Sequence, residues 1–381
     1  MRKIALIGCM GSGKSTVASE LGDAFDVDAE FERRHGGIPE FFATRGETAF
    51  REEEEKLLAE AAKSNARVIA CGGGSVLSRR GMAALRAASD IVFIDTPKEL
   101  CERRVRGSDR PLAKNFSCVY EERLPLYKRY ADYTADGTKS AREIAAEIAD
   151  AVKTPRGIRY DVVLCDADDT VLDFGRAMRF AISTAAAAMG VKADAARVIE
   201  EYGKILPVVW GRLERGEIDR TELSATRFSM LADALGEKFL PSECNDAYMR
   251  AIKTTRFVLD GALEFMDGVR RRGAKLYIIT NSYKSVASER LKALYGHADG
   301  FFVSEDIGYD KPDRRFFERV HACIGSPDIA RTIVFGDGVF PDMHGGAVFG
   351  ADTCLFDPSG KKSTPDALYA VRGYSEFAEI L

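Results

Sequence analysis

The 381-residue sequence has no apolar run approaching the roughly 18 residues that a membrane-crossing helix needs. Its opening, MRKIALIG, leads straight into glycine-rich sequence rather than into a signal-peptide cleavage site. The eight cysteines (Cys9, Cys71, Cys101, Cys118, Cys165, Cys244, Cys323 and Cys354) form no CxxC pair and no tight framework, which excludes zinc ribbons and disulfide-stapled scaffolds. The four histidines, His35, His297, His321 and His344, lack metal-ligand spacing. No charge dominates: 55 Lys and Arg face 59 Asp and Glu, and the two signs are evenly matched in residues 1–155. A body so balanced does not suit a nucleic-acid partner. These absences lead to the expectation of a soluble, cytoplasmic protein with reduced core thiols and no membrane partner; they leave the oligomeric state open.

What is present is ordinary globular composition, 46% hydrophobic and 30% charged, over a length that suits two or three domains at about 150 residues each. Short β-branched runs recur at Lys3–Ile7, Arg67–Ala70, Ile91–Asp95, Asp161–Cys165, Lys275–Thr280 and Thr332–Phe335. Each is followed by small or polar residues and then by helix-period sequence, the pattern of parallel strands with crossover helices. The fold class is therefore α/β, with two domains. An amphipathic helix at Glu143–Val152 ends in Lys153-Thr154-Pro155-Arg156-Gly157, after which a new first strand begins. This sets the expected domains at 1–155 and 158–381. From about 174 to 256 the pattern is nearly all helical, as in a cap inserted between two strands of an α/β core.

Gly8-Cys9-Met10-Gly11-Ser12-Gly13-Lys14-Ser15 matches GxxxxGK[ST] between a strand and the helical stretch from Thr16. Glycines there let backbone N–H groups turn inward around a polyphosphate, Lys14 neutralises its outer charge, and the Ser15 hydroxyl can ligate Mg²⁺. Gly8, Gly11, Ser12, Gly13, Lys14, Ser15 and Thr16 are accordingly the expected polyphosphate-binding residues, of a kinase, a hydrolase or a switch. Then come Asp26 and Asp28 after an apolar stretch, Phe50-Arg51, Gly72-Gly73-Gly74, Arg110-Pro111-Leu112 and Glu122-Arg123-Leu124-Pro125-Leu126-Tyr127. Singly, each has a duller reading: Arg51 beside Glu52–Glu55 as a solvated residue, the aspartates as caps. In this order, over the whole first domain, the set resembles shikimate kinase.

That resemblance implies a P-loop kinase whose Arg51 and Arg123 clamp the shikimate carboxylate, a fork pairing lysine cannot copy. It implies Asp28 bound to the acceptor hydroxyl as base, Asp26 near Mg²⁺ directly or through water, and Gly72, Gly73 and Gly74 leaving room for substrate. Arg110 would close over the phosphates on a lid. The spacings Lys14 to Asp26 and Arg110 to Arg123 are shorter than in that family, so the first helix and the lid are expected to be trimmed. The Glu52–Glu55 run reads as an exposed helix face.

In the second half, Asp166-Ala167-Asp168-Asp169-Thr170 ends a strand, and two carboxylates one residue apart point to the same side. Thr280-Asn281 ends another strand, Lys311-Pro312 supplies a cation, and Gly336-Asp337-Gly338 with Asp342 supplies more carboxylates. Together these resemble the haloacid dehalogenase-like phosphohydrolases, whose Rossmann-like core carries an inserted cap. The resemblance implies Asp166 as nucleophile and Asp168 as acid and base. It also implies Thr280, Asn281 and Lys311 on the phosphate, and Mg²⁺ held by Asp166, Asp337 and the Asp168 carbonyl with Asp342 in support. Leu206, Trp210, Gly216-Glu217-Ile218, Leu223 and Arg227-Phe228 look like the cap of pyrimidine 5′-nucleotidases, while Trp210 by itself reads as core.

The leading expectation is a bifunctional enzyme using ATP and Mg²⁺ on small-molecule substrates: shikimate, and a phosphorylated metabolite such as a nucleotide. Two alternatives stay open. In one, only the phosphatase half turns over and the trimmed kinase half is a binding module. In the other, the kinase acceptor is a different hydroxy acid such as gluconate.

Overall fold

The computed structural model describes residues 2–106, 115–154 and 156–381. The chain divides into two compact units, Met1–Arg159 and Tyr160–Glu379.

The first unit runs β1 (Lys3–Ile7), α1 (Lys14–Leu21), β2 (Ala24–Asp26), α2 (Val27–His35), α3 (Ile38–Lys63), β3 (Val68–Ala70), α4 (Arg79–Ala88), β4 (Ser89–Asp95), α5 (Lys98–Val105), α6 (Phe116–Tyr130), β5 (Tyr133–Asp136) and α7 (Ala141–Ala151). Its sheet is parallel throughout, in the order β2-β3-β1-β4-β5, with Ile4 opposite Val68 and Asp90 on its two neighbours. The central strand shows why the sequence run is unbroken. Ala5 and Ile7 face one apolar layer while Ile4 and Leu6 face the other, so both faces must be apolar. Each such Ile or Leu, fully buried, is worth about 1.5–3 kcal/mol. Helix α1 has only eight residues, in line with the short Lys14–Asp26 spacing. Helix α3 is kinked at Gly46, whose φ of 80° no helix allows.

The second unit continues with β6 (Val162–Asp166), α8 (Phe174–Ala188), α9 (Ala195–Glu214), α10 (Arg220–Leu235), α11 (Pro241–Lys253), α12 (Ala262–Arg271), β7 (Lys275–Thr280), α13 (Lys284–Arg290), β8 (Gly300–Val303), α14 (Ser304–Ile307), α15 (Arg314–Cys323), β9 (Thr332–Gly336), a π-helical turn (Val339–His344), α16 (Gly345–Phe349), β10 (Asp352–Phe356), β11 (Tyr369–Val371) and α17 (Tyr374–Ile380). Its sheet is again parallel, β11-β10-β9-β6-β7-β8, with Cys165 opposite Ile278 on one side and Phe335 on the other. Helices α8 to α11 have their own core, in which Tyr202, Phe228 and Tyr248 meet ring to ring at 5.4–5.7 Å. The Asp219–Glu222 capping box fixes the start of α10. In both units the strands' carboxyl ends open toward loops, which is where an open parallel sheet takes its ligands. No helix among the described residues is long and apolar enough to cross a membrane.

Candidate functional site

Each unit gathers polar residues at the carboxyl ends of its strands. In the first, the loop after β1 turns through Gly11 (φ 81°) and Gly13 (φ 95°), left-handed conformations that favour glycine, before α1 begins. A Cβ on Gly11 would lie 2.8 Å from the Cys101 carbonyl oxygen. Lys14 is buried, its Nζ donating to the Gly8 and Cys9 carbonyls at 2.8 and 2.9 Å, so its charge sits inside the loop's curve. At the mouth, Ser15 Oγ donates to Asp26 Oδ2 at 2.6 Å. Asp26 also caps α2, accepting from Ala29 N at 3.1 Å, so the capping and site readings of this residue hold together.

The triple glycine is the meeting point of the two arginines. Arg123 Nη1 donates to Gly73 O at 3.1 Å, and the space a Cβ on Gly74 would need is filled by the Arg51 guanidinium. Beside Gly72, that space holds Asp28 Oδ1 and Glu54 Oε1; beside Gly73, it faces Met10 N of the P-loop. The glycines thus make room first for the protein's own polar groups. Arg123 is buried and its Nε has no hydrogen-bond partner. Arg110 lies outside the described residues.

Glu54 escaped sequence reasoning, and Tyr127, the last residue of the motif run that holds Arg123, was given no role by it. Glu54 is only 2% exposed, which corrects the reading of Glu52–Glu55 as a solvated face. It accepts from Arg51 Nη1 at 2.6 Å and from Ser75 Oγ at 2.9 Å, one turn along α3 from the arginine it holds. The i, i+3 spacing of Arg51 and Glu54 was the available signal. Tyr127 stacks on Phe93 and donates its hydroxyl to Gly73 O.

In the second unit a cavity of about 590 Å³ lies between the strand ends and helices α9 to α11. Asp166, Asp168, Thr280, Asn281, Lys311, Asp337 and Asp342 all line it. Lys311 is 2% exposed and donates to Asp166 Oδ1 and Asp342 Oδ1, both at 2.6 Å, and to Ile279 O at 3.3 Å. Asn281 ties the two loops by a reciprocal pair: its Nδ2 donates to Lys311 O and its Oδ1 accepts from Lys311 N, each at 2.8 Å. Thr170 Oγ1 donates to Asp166 Oδ2 at 3.3 Å and accepts from Asp337 N at 3.0 Å. Burial pushes the Asp166 carboxyl up against the pull of Lys311, and raises Asp337 and Asp342 in the same way. For Lys311, burial pulls the ammonium down, but the two carboxylates outweigh it and the net direction is upward.

Carboxylate oxygens of Asp166, Asp337 and Asp342 lie within 4.8 Å of one another, a hard oxygen donor set of the kind that holds Mg²⁺. Asp168 is turned elsewhere: its Oδ1 accepts from Arg290 Nη1 at 2.6 Å. Lys362 Nζ donates to the backbone and side-chain oxygens of Asp337 at 2.7 Å. Arg290 and Lys362 carry no sequence signal of their own, because only the folded loops bring them to the carboxylates. Trp210 is half-buried: it packs against the core of the cap, as its core reading expected, and it also lines the cavity.

A P-loop beside an arginine pair, and an aspartate–lysine cluster beneath a helical cap, together define a phosphoryl-transfer enzyme with two separate centres. The shikimate kinase model matches residues 10–153 and the haloacid dehalogenase-like hydrolase model residues 160–350, and the chain belongs to these two families, a kinase and a phosphatase in sequence. The HAD-hydrolase YfnB of Bacillus subtilis is 30% identical over 227 residues, covering 58% of this chain and 96% of that protein. A crystal structure of YfnB bound to magnesium superposes with a TM-score of 0.55 at 29% identity, covering 58% of this chain and 98% of that one. The pyrimidine 5′-nucleotidase PynA of Streptococcus pneumoniae is 29% identical over 226 residues, 58% of this chain and 95% of that one. The shikimate kinase of Nitrosococcus oceani is 33% identical over 168 residues, 40% of this chain and 88% of that protein.

Proposed function

We propose that the protein transfers the γ-phosphate of ATP to shikimate, giving shikimate 3-phosphate for aromatic amino acid biosynthesis, and separately hydrolyses a small phosphomonoester. The supporting observation is that each unit assembles its complete set of described charged residues at one strand-end site. In the kinase unit, Arg51 and Arg123 hold the acceptor carboxylate, with Glu54 keeping Arg51 in place. Asp28 takes the proton of the acceptor hydroxyl as that oxygen attacks the γ-phosphorus and ADP departs. Lys14 and the backbone of Gly8, Gly11, Ser12, Gly13, Ser15 and Thr16 hold the phosphates, and Ser15 with Asp26 would hold Mg²⁺, which would supply positive charge beside them.

In the phosphatase unit Asp166 attacks phosphorus, the bond to the leaving alcohol breaks, and Asp168 gives that alcohol its proton. Asp168 then takes a proton from water, whose oxygen attacks the aspartyl-phosphate and releases phosphate. Thr280, Asn281 and Lys311 hold the phosphate oxygens, and Arg290 orients Asp168. Mg²⁺, held by Asp166, Asp337, Asp342 and the Asp168 carbonyl, would supply the positive charge that lets a carboxylate approach a phosphate dianion. The similarity to PynA supports nucleotides as one substrate class.

The test is direct. With the purified chain, ATP and Mg²⁺, shikimate drives ADP formation, and gluconate does not. Affinity for shikimate without ADP formation would leave only a binding module in the first unit. Phosphate release from a phosphomonoester panel checks the second activity.

A further inference from the structure

One cation lining the phosphatase cavity has no counter-charge among the described residues. Arg227, on α10, is 2% exposed and lines the cavity. Its Nη2 meets only neutral groups, Asn245 Oδ1 at 2.7 Å and Met249 Sδ at 3.7 Å, and its guanidinium lies 4.9 Å from the ring centres of Phe228 and Tyr248. Its Nε has no hydrogen-bond partner. Arg290, also 2% exposed and lining the same cavity, spends Nη1 on Asp168 and leaves Nε and Nη2 unpartnered. The two arginines and Asp168 leave one positive charge over. A buried guanidinium facing neutral groups is costly unless an anion meets it, and because both arginines belong to the lining of the cavity, the cavity is where that anion would bind.

We infer that Arg227 and the free edge of Arg290 form a second anion subsite, which takes a carboxylate carried by the alcohol part of the phosphomonoester. The surplus of one charge suits a monoanion rather than a second phosphate, and guanidinium donors match the two oxygens of a carboxylate. This subsite rests on the phosphatase reading above and names a feature of its substrate.

Binding is measured calorimetrically on the full chain carrying Asp166→Asn, in Mg²⁺ buffer, with two matched pairs of esters. These are 6-phosphogluconate against glucitol 6-phosphate, and orotidine 5′-phosphate against uridine 5′-phosphate. The carboxylate-bearing member of at least one pair should bind tenfold or more tightly than its neutral partner. Adding Arg227→Met should bring that ratio to within twofold, with Arg227→Lys in between; should the Met variant not fold, Arg227→Gln takes its place. Equal affinities in both pairs, no binding of either carboxylated ester at millimolar concentration, or a ratio that survives Arg227→Met would each overturn the subsite. The unmutated chain releasing no phosphate from any of the four esters would overturn the phosphatase reading instead, while the calorimetric ratios still decide the subsite.

Discussion

Lys311 is held between two carboxylates in a site almost closed to water, and an ion in that setting depends on its partners. Breaking such a cluster by removing one member leaves the others uncompensated, at a cost of about 3–5 kcal/mol. Lys311→Ala should therefore lower the unfolding free energy of the second unit by that amount in denaturant titration, besides abolishing phosphate release; an unchanged midpoint would contradict it. Gly74 makes the opposite case, a residue that matters because it has no side chain. Its backbone is unstrained (φ −100°), yet a methyl group there would displace the Arg51 guanidinium. Gly74→Ala should keep the fold and raise the KM for shikimate tenfold or more, with a smaller effect on kcat, in steady-state assays. Asp166 and Thr280 were legible because they end β6 and β7, and strand ends fix where such residues point; Lys311 and Asp342, on a loop and a π-helical turn, carry no such local mark and stood out only through the order of the motifs. Glu54 was hidden in a run of four glutamates, and Arg290 reaches Asp168 only through an approach between elements far apart in sequence, while Arg227 stood out only as part of a cap-like run.

At the scale of elements, the chain reads well where a strand is buried on both faces and poorly where it is short. Lys3–Ile7 and Lys275–Thr280 stand out as apolar runs with the bounds they take in the sheets. The three residues of β2, Ala24–Asp26, and the four of β8, Gly300–Val303, are too few for any period to appear and are held as strands by their neighbours. The end of the first unit is fastened similarly: Arg159 donates to Asp132 through Nε and Nη2 at 3.0 and 2.7 Å, and to the carbonyls of Arg86 and Ser89. Burial alone would raise the Asp132 carboxyl, but Arg159 and the Ile91 amide hold it below its ordinary value. A depressed folded-state pKa gives stability that is present above the unfolded value of about 3.9 and is lost as pH falls below it. Asp132→Asn should therefore melt below the unmutated chain at pH 7, and the gap should narrow by pH 3. A gap independent of pH would exclude this role for the pair.

At the scale of the whole molecule, each unit's centre is built from its own residues, so each should be silenced alone. Lys14→Ala should abolish shikimate-dependent ADP formation and leave phosphate release at its unmutated rate; Asp166→Asn should do the reverse. Parallel loss of both activities in either variant would show that the centres depend on each other. That the chain holds two α/β units was legible in its two series of strand and helix runs; the loops that bring Lys362 to Asp337 were not, because no local pattern marks them.

Joining the units in one polypeptide also has an arithmetic consequence for a cell. On the proposed function, every translated copy delivers one kinase centre and one phosphatase centre, so gene dosage and expression level move both capacities together. Any imbalance between the two fluxes must come from turnover rates and substrate supply.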